Sequence, residues 1–176
     1  AFDSLIEFDL EPEIYSLELL EAFDQALTRH GVEKYPVHLK LNTGMNRSGL
    51  DEAELQDLLQ FFEIKRNVEI RSMFSHLAGS DELQHDAYTS MQLERFVRMT
   101  EKIQHHFDYP IMRHILNSAG IERFPQYAFD MVRLGIGLHG ISADGAALQP
   151  VSSFKSYIAS IRHVSKESTV GYGRKG

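Results

Sequence analysis

Strand-like and helix-like periodicities alternate about four times along the first 140 residues, and this alternation restricts the possible folds more than any single motif does. SLIEFDL (4–10) reads as a short strand, with Pro12 marking the turn after it. SLELLEAFDQALTRHG then places apolar residues at 19, 20, 23, 26 and 27, a helical period, with Ser16 positioned to cap it and Gly31 to end it. VHLKL (37–41) alternates behind Pro36, the loop NTGMNRSG follows, and LDEAELQDLLQFFEI resumes helical spacing. EIRSMFSH (69–76) predicts a strand, YTSMQLERFVRMTEKIQHH (88–106) a helix, and IMRHIL and FDMVRLGIGLHG two further strands. Strands joined by helices of this length suit right-handed βαβ units and a parallel sheet, so the fold class is α/β. The five strands expected here are enough for a doubly wound sheet, whereas a closed (β/α) barrel needs eight; periodicity leaves both open. Beyond Leu148 the pattern changes to alternation with no helix in prospect, which predicts a first domain over 1–147 and the start of a β-rich domain over 148–176.

Charge and composition exclude several classes of function. Eighteen basic against twenty-five acidic side chains give a formal charge of −7, which repels phosphate backbones and argues against a nucleic-acid partner. The absence of cysteine excludes disulfides, thiolate metal sites and thiol nucleophiles, and suits a reducing, cytoplasmic setting. No apolar run approaches the roughly 20 residues of a membrane helix. The chain does not begin with Met and both ends fall within patterned sequence, as expected of a piece of a longer chain.

Polar residues gather where the expected strands end. Lys40, Asn42 and Arg47 follow VHLKL, His76 ends RSMFSH, Asn117 and Ser118 end RHILNS, and Arg133 follows FDMV. In a parallel α/β fold the carboxyl ends of the strands share one edge, where ligands bind. Arg133 stands out because a guanidinium stays charged, and burying it unpartnered costs several kcal/mol on the order known for proteins. GIGLHG (135–140) matches a dinucleotide fingerprint, but ISADGAALQP after it has no helical stripe, so a Rossmann site is rejected. The adjacent His105 and His106 point in divergent directions on a helix, and His30, His85, His114 and His163 carry no distinguishing pattern.

Five stretches in order, VHLKLNTGMNRSGL, FSHLAGSDE, HILNSAG, FDMVRLGIGLHG and STVGYGRKG, resemble successive motifs of the alanine racemase family. That resemblance implies a fold-type III pyridoxal 5′-phosphate enzyme, a (β/α)8 barrel followed by a mostly β domain. The chain would be an internal piece, about barrel strands four to eight and the start of the β domain. The family's Schiff-base lysine lies in a K-A-[DN]-A-Y-G-H-type motif, and none surrounds any lysine here. Arg133 would face the cofactor's pyridine nitrogen and leave it largely unprotonated, so that charge stays at the substrate α-carbon and a proton returns there. Ser118, Asn117 and the backbone N–H groups of Gly135 and Ile136 would bind the cofactor at its phosphate end.

Tyr172 is implied as one of two catalytic bases on opposite faces of the substrate, linked through His76 to Arg133. Arg47 would contact the cofactor's phenolic oxygen and the substrate carboxylate, and Lys40 matches a lysine often carbamylated. The chain departs from the family pattern at Asn42, where aspartate is common, and at His139, where tyrosine is common. The implied activity is interconversion of L- and D-alanine for peptidoglycan precursors in a head-to-tail homodimer, with this piece alone inactive. A non-catalytic binding or assembly module, or the racemase part of a fused cell-wall ligase, are the alternatives.

Overall fold

The Leu17–His30 segment forms helix α2 with both of its end signals in use. The Ser16 hydroxyl accepts from the Leu19 N–H at 3.3 Å, satisfying one of the donors that a helix start leaves open. Gly31 closes the helix at φ 66°, a left-handed conformation that costs least without a Cβ. Its stripe of Leu20, Phe23, Ala26 and Leu27 is completely buried.

The computed structural model describes residues 2–64, 66–161 and 163–166. Four parallel strands lie in chain order across one sheet: β1 (Glu13–Ile14), β2 (Tyr35–Lys40), β3 (Val68–Phe74) and β4 (Met112–His114). Helix α2 connects β1 to β2, α3 (Leu55–Phe61) connects β2 to β3, and α4 (Asp86–Gln104) connects β3 to β4; α5 (Ser118–Arg123) follows β4. This is the α/β class with a parallel sheet. Val37, Leu39, Ile70 and Met73 from the strands pack with Phe23, Leu58 and Phe96 from the helices into one core.

One irregularity in the sheet decides where the polar residues go. Val37 pairs with Ile70 but His38 pairs with Ser72, so β3 carries one extra residue, Arg71. Such a bulge shifts the two-residue alternation by one. Val68, Ile70 and Met73 therefore belong to the core, while Ser72 turns to the opposite face beside His38.

Two expectations about elements need correction. Residues 4–10 do not form a strand: Phe2–Glu7 is helix α1, in which Phe2, Leu5 and Ile6 follow helical spacing and the Phe2 ring meets Phe23 edge-on at 5.4 Å. The first strand is instead β1, whose two residues are too short to show any periodicity. FDMVRLGIGLHG is not a strand either. It runs beside β4 with only two backbone hydrogen bonds, Asp130 N–H to Arg113 O at 3.2 Å and Arg133 N–H to Leu116 O at 3.0 Å, and then turns through a 3-10 segment at Ile136–His139. Two bonds three residues apart make no continuous ladder. Four strands therefore stand where five were expected before residue 148.

Among the described residues from 148 onward no strand or helix forms, and Phe154 and Tyr157 are 100% and 96% exposed. Alternation makes a strand only when a neighbouring backbone supplies the hydrogen bonds, and none does so here. Among the described residues no helix is long and apolar enough to cross a membrane.

Candidate active site

The carboxyl ends of β2, β3 and β4 open onto a cleft of about 490 Å³, with Glu11 and Glu13 on the β1 side and Arg133 on the far side. Lys40, Arg47, His76 and His114 also line it, so four strand regions deliver polar groups to one place. Four residues singled out in the sequence, Lys40, Arg47, His76 and Arg133, meet here.

Arg133 resolves its burial through carbonyls and imidazoles rather than through a carboxylate. Its Nη2 donates to the Ser75 carbonyl at 2.5 Å, to His76 Nδ1 at 3.2 Å and to the Ile115 carbonyl at 3.4 Å. Its Nη1 donates to His114 Nδ1 at 2.5 Å and to the His114 carbonyl at 3.3 Å. The Phe74 ring lies beneath the guanidinium, 5.4 Å from centroid to Cζ. Among the described residues no carboxylate pairs with Arg133, and its Nε–H has no protein partner. Burial lowers its pKa and the charge of Glu13 opposes that shift, but a guanidinium remains a cation.

Both imidazoles at Arg133 are held neutral. Burial, then the charges of Arg133, Arg47 and Lys40, lower the pKa of His76. Burial, then Arg133 and His38, push His114 down to about 4 from the usual 6.5. The folded protein thus keeps His114 neutral where the unfolded chain already takes up a proton. The contribution to stability is complete above pH 6.5 and falls as pH drops from 6.5 toward 4. An NMR titration of His114 is expected to give a midpoint near 4; a midpoint near 6.5 would contradict the arrangement around Arg133.

The loop carrying Arg47 is organised by Asn42. Its amide oxygen accepts from the Gly44 and Asn46 N–H groups at 3.2 and 3.1 Å, and its Nδ2 donates to Asn46 Oδ1 and Asp51 Oδ1 at 3.0 and 2.9 Å. An aspartate there would lose both donated bonds and face Asp51 as a like charge. Lys40 Nζ pairs with Glu13 Oε1 at 2.8 Å, a contact that carbamylation would turn into like-charge repulsion. Behind His76, Gln92 of α4 accepts from the Ala78 N–H at 2.9 Å and donates to the His76 carbonyl at 3.2 Å, which fixes the chain as it leaves β3.

A second polar cluster lies at the start of α5. The Ser118 hydroxyl accepts from the Gly135 and Gly137 N–H groups at 2.9 and 3.0 Å. Ser118 and Gly135 thus lie together, with the Gly137 N–H sharing the same hydroxyl. A Cβ on Gly137 would sit 2.9 Å from Leu134 Cδ1, the free end of an exposed side chain, and 3.4 Å from Ser118 Oγ. The Asn117 side-chain oxygen caps α5 through the Gly120 N–H at 2.9 Å and accepts from Ser80 Oγ at 2.8 Å. Tyr172 lies outside the described residues.

His114 and His38 were not distinguished in the sequence. His114 sits within the largely apolar IMRHIL, which is a signal of a kind, whereas His38 takes a regular polar place in the alternation of VHLKL and carries none. GIGLHG forms a 3-10 turn rather than the start of an α-helix.

Comparison with known proteins gives consistent matches. The family model described as alanine racemase, N-terminal domain, matches residues 1–143. The sequence resemblance described an internal piece of the family, whereas this match is to its N-terminal domain. A curated relative from Prochlorococcus marinus named alanine racemase is 32% identical over 179 residues, covering 97% of this chain and 46% of its own length. The solved alanine racemase of Clostridium difficile 630 superposes with a TM-score of 0.77 at 30% identity, over 100% of this chain and 47% of that one. The Bartonella henselae alanine racemase, solved with covalently bound pyridoxal phosphate, gives 0.68 at 27% identity over 86% of this chain and 40% of that one. The chain spans about half the length of the curated relatives it matches.

Proposed function

This chain belongs to the alanine racemase N-terminal-domain family, and from that premise we propose that it forms part of a pyridoxal phosphate-dependent racemase that interconverts L- and D-alanine for cell-wall precursor synthesis. The observation that carries this reading is Arg133: a half-buried cation lining the cleft, held by two neutral imidazoles and backbone carbonyls, with its Nε–H left without a partner among the described residues. A ring nitrogen facing that N–H would receive a hydrogen bond and no proton, because a guanidinium does not give one up. The other end of the proposed cofactor site rests on Ser118 and the backbone of Gly135 and Ile136, where the Ser118 hydroxyl gathers the Gly135 and Gly137 N–H groups. These features fit a phosphorylated pyridine. When bound, that group withdraws electrons and stabilises negative charge at the α-carbon of an amino acid.

The chain's own residues then bind, orient and move protons. Arg47, exposed at the cleft and free of an ion pair among the described residues, is placed to receive the substrate carboxylate. His76 accepts from Arg133 at Nδ1, which leaves its proton on Nε2, available to the phenolic oxygen of Tyr172. Such a bond and the nearby cations favour the phenolate, so Tyr172 could take the α-proton at neutral pH. In the same proposal Tyr172 acts from the partner subunit of a head-to-tail dimer, and the Schiff-base lysine comes from elsewhere in the whole protein. Residues 1–147 would be part of a (β/α)8 barrel and 148 onward the start of a β domain, which would supply the backbone partners that this segment lacks here.

The whole protein, supplied with pyridoxal phosphate, is expected to convert either pure enantiomer of alanine into an equal mixture, followed by chiral chromatography. A pure, cofactor-loaded protein that leaves both enantiomers unchanged would overturn the reading.

A further inference from the structure

A line of hydrogen bonds crosses the whole sheet on the cleft face, one residue per strand. Arg133 Nη1 lies 2.5 Å from His114 Nδ1 on β4, and His114 Nε2 lies 3.2 Å from Ser72 Oγ on β3. Ser72 Oγ is 2.6 Å from His38 Nδ1 on β2, and His38 Nε2 is 2.8 Å from Glu11 Oε2 just before β1. The bulge between Val37 and His38 is what brings Ser72 into line. The two ends of this chain are chemically fixed, because a guanidinium only donates and a carboxylate only accepts.

Only one arrangement of protons satisfies every link. His114 must accept at Nδ1 and so carries its proton on Nε2, which donates to Ser72. His38 must donate from Nε2 to Glu11, leaving Nδ1 to accept from the Ser72 hydroxyl. Were His38 doubly protonated, Ser72 would accept from both rings and its own proton would have no acceptor. Ser72 is 0% exposed and has no other side-chain or backbone partner, so that state is costly. The Phe74 ring, stacked on His114 at 5.1 Å with 6° between planes, holds the imidazole in the orientation the relay needs.

We propose that Glu11, His38 and Ser72 are positioning residues: with His114 they form a one-directional relay in which Arg133 fixes the tautomer of His114, Glu11 fixes that of His38, and the Ser72 hydroxyl between them holds His114 Nε2–H so that its ring stays in line with the guanidinium. Reversing the relay would turn an N–H of His114 toward a cation and displace Arg133 from the cleft. The relay stands on its own geometry; its effect on turnover rests on the racemase reading.

The test is a long-range proton–nitrogen correlation on the whole, cofactor-loaded protein with nitrogen-15 histidine, assigned with His38→Gln and His114→Gln. Both rings are expected as neutral Nε2–H tautomers. In Glu11→Gln the amide can present either its oxygen or its NH2, so His38 becomes a mixture of tautomers while His114 stays pinned by Arg133. Ser72→Ala is expected to lower kcat roughly tenfold, the rate equivalent of one net hydrogen bond, with KM for alanine unmoved, and Ser72→Thr to restore it. If Ser72→Ala does not fold, Glu11→Gln at the exposed end decides alone. An Nδ1–H tautomer on either wild-type ring, or an unchanged His38 tautomer in Glu11→Gln, would overturn the relay. Tautomers as expected in a protein that does not racemise alanine would count against the racemase reading and leave the relay standing.

Discussion

Arg133→Lys in the whole protein is expected to lower kcat for alanine racemisation by roughly 10²–10³-fold, although the formal charge is unchanged. The reason lies in the fork of the guanidinium. Its two Nη groups reach His114, His76 and the carbonyls of Ser75 and Ile115 at once, and its Nε–H is left over on a side chain that lines the cleft. An ammonium has three donors at a single point and cannot span two imidazoles and the cleft together. Each carbonyl left without a donor costs about 1–3 kcal/mol, so the variant is also expected to melt earlier than wild type. Arg133→Met removes the charge as well and is expected to be worse on both measures. A lysine variant with near wild-type kcat would show that charge alone suffices, and the role assigned to the fork would fail.

The residues most legible in the sequence are those whose signals are local. Ser16, Gly31 and the stripe of α2 do what their spacing implies, since capping and burial of one helix face depend on residues within a few turns. Arg133 was conspicuous because a charge inside an apolar run demands partners, and the partners are there. What could not be read was relational. That Met73 rather than Ser72 faces the core is decided by one extra residue against β2, a matter of register between two strands rather than of either alone. His114 looked ordinary because its importance comes from Arg133 and Ser72, which are 19 residues after it and 42 before it in the chain. Helix α1 was missed because reading from Ser4 excluded Phe2, the residue that anchors it on Phe23.

The loop after β2 shows how a backbone constraint reaches the site, and Gly49→Ala is expected to expose it. Gly49 has φ +125°, a conformation that side chains rarely adopt. A Cβ there would lie 2.8 Å from Asn42 N, 2.9 Å from the Leu41 carbonyl carbon and 3.2 Å from Lys40 O, all backbone atoms. None can give way cheaply, because Asn42 N–H donates to Leu50 O at 2.8 Å and Leu50 N–H to Lys40 O at 2.9 Å, the pair of bonds that closes the loop. Strain and collision together are expected to cost about 3 kcal/mol or more, which for a domain of this size lowers Tm by roughly 6–12 °C. Gly31→Ala separates the two causes: at φ +66° with nothing within 4 Å, it carries the strain without the collision and should cost only about 1–2 kcal/mol. Because Arg47 lies two residues before Gly49, the same variant is expected to raise KM for alanine in whatever fraction remains folded. Calorimetry showing Gly49→Ala no less stable than Gly31→Ala would mean that the loop can open at its base, and the close packing of Gly49 on Leu41 and Asn42 could not then be what places Arg47.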